Sequence, residues 1–329
     1  MNKPPEEVAA RVQPESLRKY VAAIARNAGL TDGDAELLAE LLVLNDLRGV
    51  FSHGSRQIAG YVPLFLRGEL NPRPVLQESA RTDTTLVIDG DGGLGYFPAW
   101  RAAHQLVEMA RASGVAAAIT RNHGHIGAAG LYSRVPAAHG FIAYGTSGHA
   151  LDLRPGQPYA AVAGGSPMTW AIPAGEEHPL VLDFGAMHDF YHPTTLQRIF
   201  EMAPGLVFRS VGLGVMCQVL GGILCGVPVT PQQPARRFPG ATQGSFLIAV
   251  DVGRFMPLDA FRQEIDAYVR LARQLAPLPG ESACYLPGGL EASREREYQH
   301  QGIPLGPRHL RALAETGARV GVDPPFPVP

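Results

Sequence analysis

Cysteine is scarce in this 329-residue chain, and its three examples, Cys217, Cys225 and Cys284, stand far apart in apolar company. No CxxC or CxxH pair exists and the count is odd. That argues against a disulfide framework or a thiolate metal centre and predicts buried free thiols in a reducing compartment. Charge imbalance is missing too. Lys and Arg number 28 against 30 Asp and Glu, for a formal net charge of −2, so no global field draws in nucleic acid or anionic lipid. The N-terminus has no apolar signal core after its first charges, and no internal repeat or low-complexity linker is visible. One apolar run, "VFRSVGLGVMCQVLGGILCGVPV" (207–229), approaches membrane-spanning length. Its Arg209, Gln218 and five glycines predict a buried, closely packed helix instead. The expectation is a soluble, cytoplasmic protein with neither nucleic acid nor membrane as partner.

What is present is an ordinary globular balance, 46% apolar and 18% charged, on a chain long enough for one large or two medium domains. Gly 38 and Pro 29 predict many tight turns. "PESLRKYVAAIARNAGL" and "TDGDAELLAELLVLNDLRGV" read as two helices with apolar faces and glycine stops, and "VPLFLRGELNPRP" as a short third. "TTLVIDGDGGLGY" reads as a strand and a Gly-rich turn, and "VAAAITRNHGHIGAAG" as a strand running into a polar loop. "PLVLDFGA" and "GSFLIAVDV" are further strands. "PAWRAAHQLVEMARASG", "LDAFRQEIDAYVRLARQLA" and "GPRHLRALAETGARVGV" are helices. Helices at the ends and alternation in the middle place the chain in the α/β (α+β) class, without implying a strictly parallel sheet.

Candidate chemistry concentrates in two segments. "GVFSHGSRQIAGY" (49–61) sets Ser52, His53 and Arg56 within five positions. A site would have His53 move a proton and Arg56 hold an anion through paired hydrogen bonds; a capped turn with solvent-facing polar residues is the alternative. "RNHGHIGAAG" (121–130) places His123 and His125 at i, i+2 without a third ligand at useful spacing, so no metal site follows. His125 at a strand end is a candidate acid/base or cofactor contact, against an ordinary loop histidine. For Asp183, ending an apolar strand, the competing role is a helix cap. "DGDGGLGY" lacks the spacing of a dinucleotide-binding fingerprint, and Ser52 lacks a GxSxG elbow.

In order, "DLRGVFSHGSRQIAGYVPLFLRGELNP", "RNHGHIGAAGLYS", "GGSPMTWAIPAG", "PLVLDFGA", "GLGVMCQVLGGILCG", "GSFLIAVD" and "YLPGGLEA…GIPL" resemble the malate/L-lactate dehydrogenase family. That family also includes sulfolactate, ureidoglycolate and diketogulonate dehydrogenases and cyclic imine-acid reductases. The resemblance spans about residues 15 to 322. It implies a non-Rossmann mixed-sheet domain (76–255) inserted into a helical domain built from 1–75 and 256–329, and a homodimer. It implies hydride transfer between NAD or NADP and a 2-oxo/2-hydroxy acid or related imine. By motif position it implies His53 as proton donor with Ser52 before it, and His125 and Asp183 as further catalytic candidates. Cofactor contacts are implied at Leu180, Val181, Leu182, Asp183, Phe184, Gly185 and Ala186, at Phe208 and Arg209, and at Gly288, Gly289 and Leu290. Arg56, Gln57 and Ser166 fall at substrate-contacting positions.

The departures from the family cluster. Phe51 stands where DSHG has its acid, and Gln57 where the substrate-holding arginine lies. Arg209 replaces the KGxGL lysine, Ser166 the asparagine of a GTNP-like motif, and the segment after Ala186 is shortened. The leading expectation is an oxidoreductase of altered specificity. The alternatives are a family scaffold recruited to non-redox acid/base chemistry (cyclisation, dehydration, decarboxylation or isomerisation) with a degraded nicotinamide site, and a non-catalytic binding protein.

Overall fold

A computed structural model describes residues 5, 7–190, 192–230 and 235–329. It divides into two compact units, one from 1–74 with 289–329 and one from 75–288.

The first unit is built on leucine-rich helices. In α1 (Pro14–Asn27) proline opens the first turn, and Leu17, Tyr20, Val21 and Ile24 fall on the buried face, as the i, i+3, i+4, i+7 spacing requires. Thr31 caps α2 (Asp32–Leu47) by accepting the Asp34 amide hydrogen at 3.2 Å. This helix is buried nearly all round, with Leu38, Leu41 and Leu42 fully enclosed. Two short 3-10 turns, Phe51–His53 and Ser55–Gln57, lead into α3 (Ile58–Leu66). The chain returns later as α9 (Gly289–Gln301) and α10 (Pro307–Arg319). Strands β1 (Ala10–Val12) and β9 (Ile303–Leu305) pair antiparallel between the two chain ends.

The second unit carries a sheet of strands β2 (Gln77–Arg81), β3 (Thr85–Asp89), β4 (Val115–His123), β5 (Phe141–His149), β6 (Pro167–Ile172), β7 (Leu180–Gly185) and β8 (Gln243–Asp251). Their spatial order is β2-β3-β4-β8-β5-β6-β7. β3 and β4 run parallel and the other pairs antiparallel, the mixed sheet expected. One face is covered by α4 (Tyr96–Ser113) and α5 (Gly130–Ala138); small residues such as Ala116, Ala118, Ala143 and Ala171 let these helices approach closely. The other face carries α7 (Pro204–Gly221), preceded by α6 (Pro193–Met202). Cys217 of α7 packs on Tyr144 and Met168.

Three expectations need correction. The domain boundary expected at 256 lies at 289, because α8 (Leu258–Ala272) belongs to the sheet unit. Its Asp266 accepts three backbone hydrogens, from Gly175, Glu176 and Glu177, and Arg273 pairs with Glu177. An amphipathic helix shows that it packs but not on what. α7 is not buried all round: Gly214 and Gly221 hold it against Ser166 and Ser147, while Phe208, Leu213 and Met216 stay exposed. Cys284 is only partly covered, unlike Cys217 and Cys225.

Candidate active site

The end of α2 and the turns after it create a held imidazole. Ser52 Oγ lies 2.9 Å from His53 Nδ1, so the hydroxyl orients the ring from the residue next to it. Three further bonds fix the backbone: His53 N donates to Val50 O at 3.0 Å, Asn45 Nδ2 donates to His53 O at 2.9 Å, and Gln57 Nε2 donates to Ser52 O at 2.5 Å. A side chain on Gly54 would overlap the Asp46 carboxylate, so glycine is needed here because the helix end approaches the turn. His53 is half-buried between these contacts. An oriented imidazole of this kind suits general acid/base work.

The residues around His53 explain two departures. Phe51 turns its ring to Tyr298, with centroids 6.3 Å apart, so apolar packing stands at the position of the DSHG acid. Gln57 is committed to the Ser52 carbonyl, and Arg56 is exposed on the same turn. Asp46 is wholly buried, and loss of solvation pushes its carboxyl up to about 7. Sequence reasoning passed over Asn45 and Asp46, although a polar pair inside "LLVLNDLRG" was a usable signal.

In the second unit the two histidines of "RNHGHIG" separate. His123 is fully buried at the end of β4. Its Nδ1 lies 2.7 Å from Gly124 O and its Nε2 2.7 Å from Thr120 Oγ1, which in turn lies 2.5 Å from Ser245 Oγ. Burial pushes its pKa down to about 4, so the ring is neutral. The carbonyl accepts only from a protonated Nδ1; Nε2 therefore accepts from Thr120, whose hydroxyl accepts from Ser245. This is a closed internal network. His125 lies in the following loop, which Gly95 N ties down by donating to the His125 carbonyl at 3.0 Å.

Asp183 caps a helix. Its Oδ2 accepts from the Gly130 amide at 2.9 Å, at the first turn of α5. The carboxylate therefore occupies the position where a helix N-terminus would attract phosphate. Ser166 is joined to the end of the same strand, its carbonyl accepting from Ala186 N at 2.9 Å. Ser166 sits at φ +50 with its hydroxyl donating to Ala163 O, a left-handed conformation more natural to glycine or asparagine. His149, which was not foreseen, joins this loop: its ring borders Gly164 and Gly165. Gln218 clamps its backbone, donating to His149 O at 2.6 Å and accepting from His149 N at 3.2 Å. Burial lowers the His149 pKa.

The chain segments matched to a nicotinamide nucleotide fit it in parts. Leu182 and Phe184 of β7 are 42% and 37% exposed on one face, beside Trp170, a flat apolar surface for rings. Arg209 is exposed at the start of α7; its Nε donates to Gly205 O at 2.9 Å, and its terminal nitrogens remain suited to a phosphate. Val207, next to Phe208, packs with Met187 and Phe190, so these residues lie by the β7 end. Gly288, at φ +86, presses on the Val181 backbone, where a side chain would crowd. Gly289 and Leu290 begin α9 in the other unit. Among the described residues no His, Cys, Asp or Glu cluster could hold a metal ion.

Residues 12–187 and 195–314 match the sequence profile of a family described as malate/L-lactate dehydrogenase. Hydroxycarboxylate dehydrogenase B of Escherichia coli is 25% identical, over 95% of both chains. The ureidoglycolate dehydrogenase (NAD(+)) of the same organism is 23% identical, over 90% of this chain and 92% of its own. The solved structure of malate dehydrogenase from Pyrococcus horikoshii superposes with a TM-score of 0.84 at 24% identity, covering 98% of each chain.

Proposed function

The chain belongs to the malate/L-lactate dehydrogenase family, and from that premise we propose that it is an oxidoreductase using NAD or NADP. Its substrate is a 2-oxo/2-hydroxy acid or related imine, recognised differently from simple 2-oxo acids. The observation that carries the proposal is the Ser52–His53 pair in a turn fixed by Asn45 and Gln57. A nicotinamide nucleotide, when bound, would supply or accept the hydride. His53 gives a proton to the substrate oxygen or nitrogen, or takes it back in the reverse direction, and Ser52 keeps the ring aimed. Phe208 and Arg209, the β7 end and Gly288 would hold the nucleotide; Asp183 keeps its capping bond to Gly130 and shapes the loop carrying His125. Gln57 already bonds Ser52 O and brings no charge, so Arg56 is the guanidinium this turn offers to a substrate anion.

We also propose that the protein is a soluble homodimer. Leu213, Met216 and Val219 of α7 are exposed, outside the surface given to the nucleotide. Open apolar surface of this kind favours burial against a second copy. Light scattering at micromolar concentration should give twice the chain mass.

Titration with NADH and NADPH, read by fluorescence or calorimetry, tests the main reading. Saturable binding and cofactor oxidation with a member of a 2-oxo acid and cyclic imine panel are expected. No binding at millimolar cofactor would overturn it and leave the non-redox alternative.

A further inference from the structure

The groups beneath Gly54 take no part in the proton transfer just described. Asp46 lies wholly buried at the C-terminal end of α2, where the free carbonyls of a helix make a negative charge unwelcome. Its Oδ2 accepts from the Ser55 amide at 2.8 Å, and the Ser55 hydroxyl also supports its charge. Its Oδ1 is buried with no hydrogen-bond partner among the described residues. Ser55 Oγ lies 2.9 Å from His309 Nε2, on the first turn of α10, and both residues are buried.

A carboxylate so placed weakens the fold when it ionises. Asparagine could accept the same amide hydrogen without that cost, so the acid is not explained by stability. The neighbouring residue points to another role. Asn45 holds the carbonyl of His53 and Asp46 the amide of Ser55. Consecutive residues of one helix thus grip the turn on both sides of Gly54, the residue between those two groups.

We propose that Asp46, acting through Ser55 with His309 behind it, is a positioning residue for His53: the carboxylate locks the backbone from which the imidazole projects. This rests on His53 being the proton-transfer residue. An ionised carboxylate accepts a hydrogen bond more strongly than a protonated one, so the grip tightens as Asp46 loses its proton. The groups facing it are Arg56 of the same turn, which favours ionisation, and His309, which burial and then Arg56 keep near 4 and hence neutral. Burial raises Asp46 to about 7, so the grip changes where an imidazole titrates.

The test follows the His53 ring nitrogens by NMR in 15N-histidine protein between pH 5 and 9, the resonances being identified by their loss in His53→Gln. In Asp46→Asn the midpoint should move by about half a pH unit or more. Ser55→Ala and His309→Gln should move it in the same direction by less. A folded Asp46→Asn protein with the wild-type His53 curve overturns the proposal. If that variant does not fold, unchanged curves in both Ser55→Ala and His309→Gln do so. NADH titration of the same samples separates the two readings. Failure of wild-type protein to bind NADH counts against the oxidoreductase and leaves the His53 curves to decide the positioning role. Normal binding with unmoved curves counts against positioning alone.

Discussion

In each unit a hydroxyl meets the imidazole of a histidine motif, SHG in one and RNHGHIG in the other, and the two arrangements differ in what surrounds them. Ser52 lies 2.9 Å from His53, and Thr120 lies 2.7 Å from His123. In the second unit the pair is sealed: His123 is 0% exposed and bonded on both ring nitrogens, and its pKa falls to about 4. In the first, Nδ1 meets Ser52 while the backbone on either side is tied to α2 and to Gln57. The same chemical pair thus becomes a core fastener where water is excluded. On a half-buried turn it becomes a candidate proton carrier. Burial, rather than the identity of the partners, separates the roles.

The largest effect should come from breaking the half-buried pair. His53→Gln should fold normally and lose about 10²- to 10⁴-fold in turnover on the true substrate. Retention of more than about a tenth of wild-type turnover would make His53 structural. The sealed pair should respond in the opposite way. His123→Ala takes the ring from the buried Gly124 carbonyl and leaves Thr120 only its bond to Ser245, and should cost roughly 3 kcal/mol of stability. Below its lowered melting temperature it should turn over like wild type. Denaturant midpoints with parallel kinetics would show whether the two roles separate.

The carboxylate under the His53 turn sharpens the contrast through pH. With its folded pKa raised to about 7 from an ordinary 3.8, Asp46 holds its proton in the folded state after the unfolded chain has released it. Its contribution to stability is therefore complete below pH 4, falls as pH rises toward 7, and is flat above. Asn has no such slope. From pH 5.5 to 8.5, Asp46→Asn should gain about 2 kcal/mol relative to wild type (about 1.4 kcal/mol for each of roughly 1.5 units). Urea unfolding at the two pH values measures this, and parallel wild-type and variant profiles would place the charge elsewhere. The smallest effect is expected from Gln57→Arg. It gives up the bond to Ser52 O but offers a carboxylate a charged fork, and should lower KM for pyruvate or oxaloacetate roughly tenfold. An unchanged KM would mean that Arg56 already fills the role.

Legibility in the sequence followed the range of the interaction. Leu17, Tyr20, Val21 and Ile24 announce a buried helix face by spacing alone, and they are buried. "SHG" announces an adjacent hydroxyl and imidazole, which can meet with no help from distant chain. His123 and His125 looked alike, because nothing within "RNHGHIG" records that Ser245 arrives on β8 to close a network around the first. Asp183 offered both a capping and a catalytic reading. Only its meeting with Gly130, 53 residues earlier in the chain, reveals the cap.

Composition, periodicity and motif order were enough to determine a mixed α/β protein, its family, and the turn holding Ser52 and His53, since each depends on residues within a few positions or on their order. Tertiary structure decided the rest. It placed α8 with the sheet because Asp266 finds three amides there. It left one face of α7 open because the sheet covers only the other, and it brought His309 against Ser55 across 254 positions. A hydrogen bond or an exclusion of water between segments that far apart depends on where the folded chain puts them, and no local pattern carries that information.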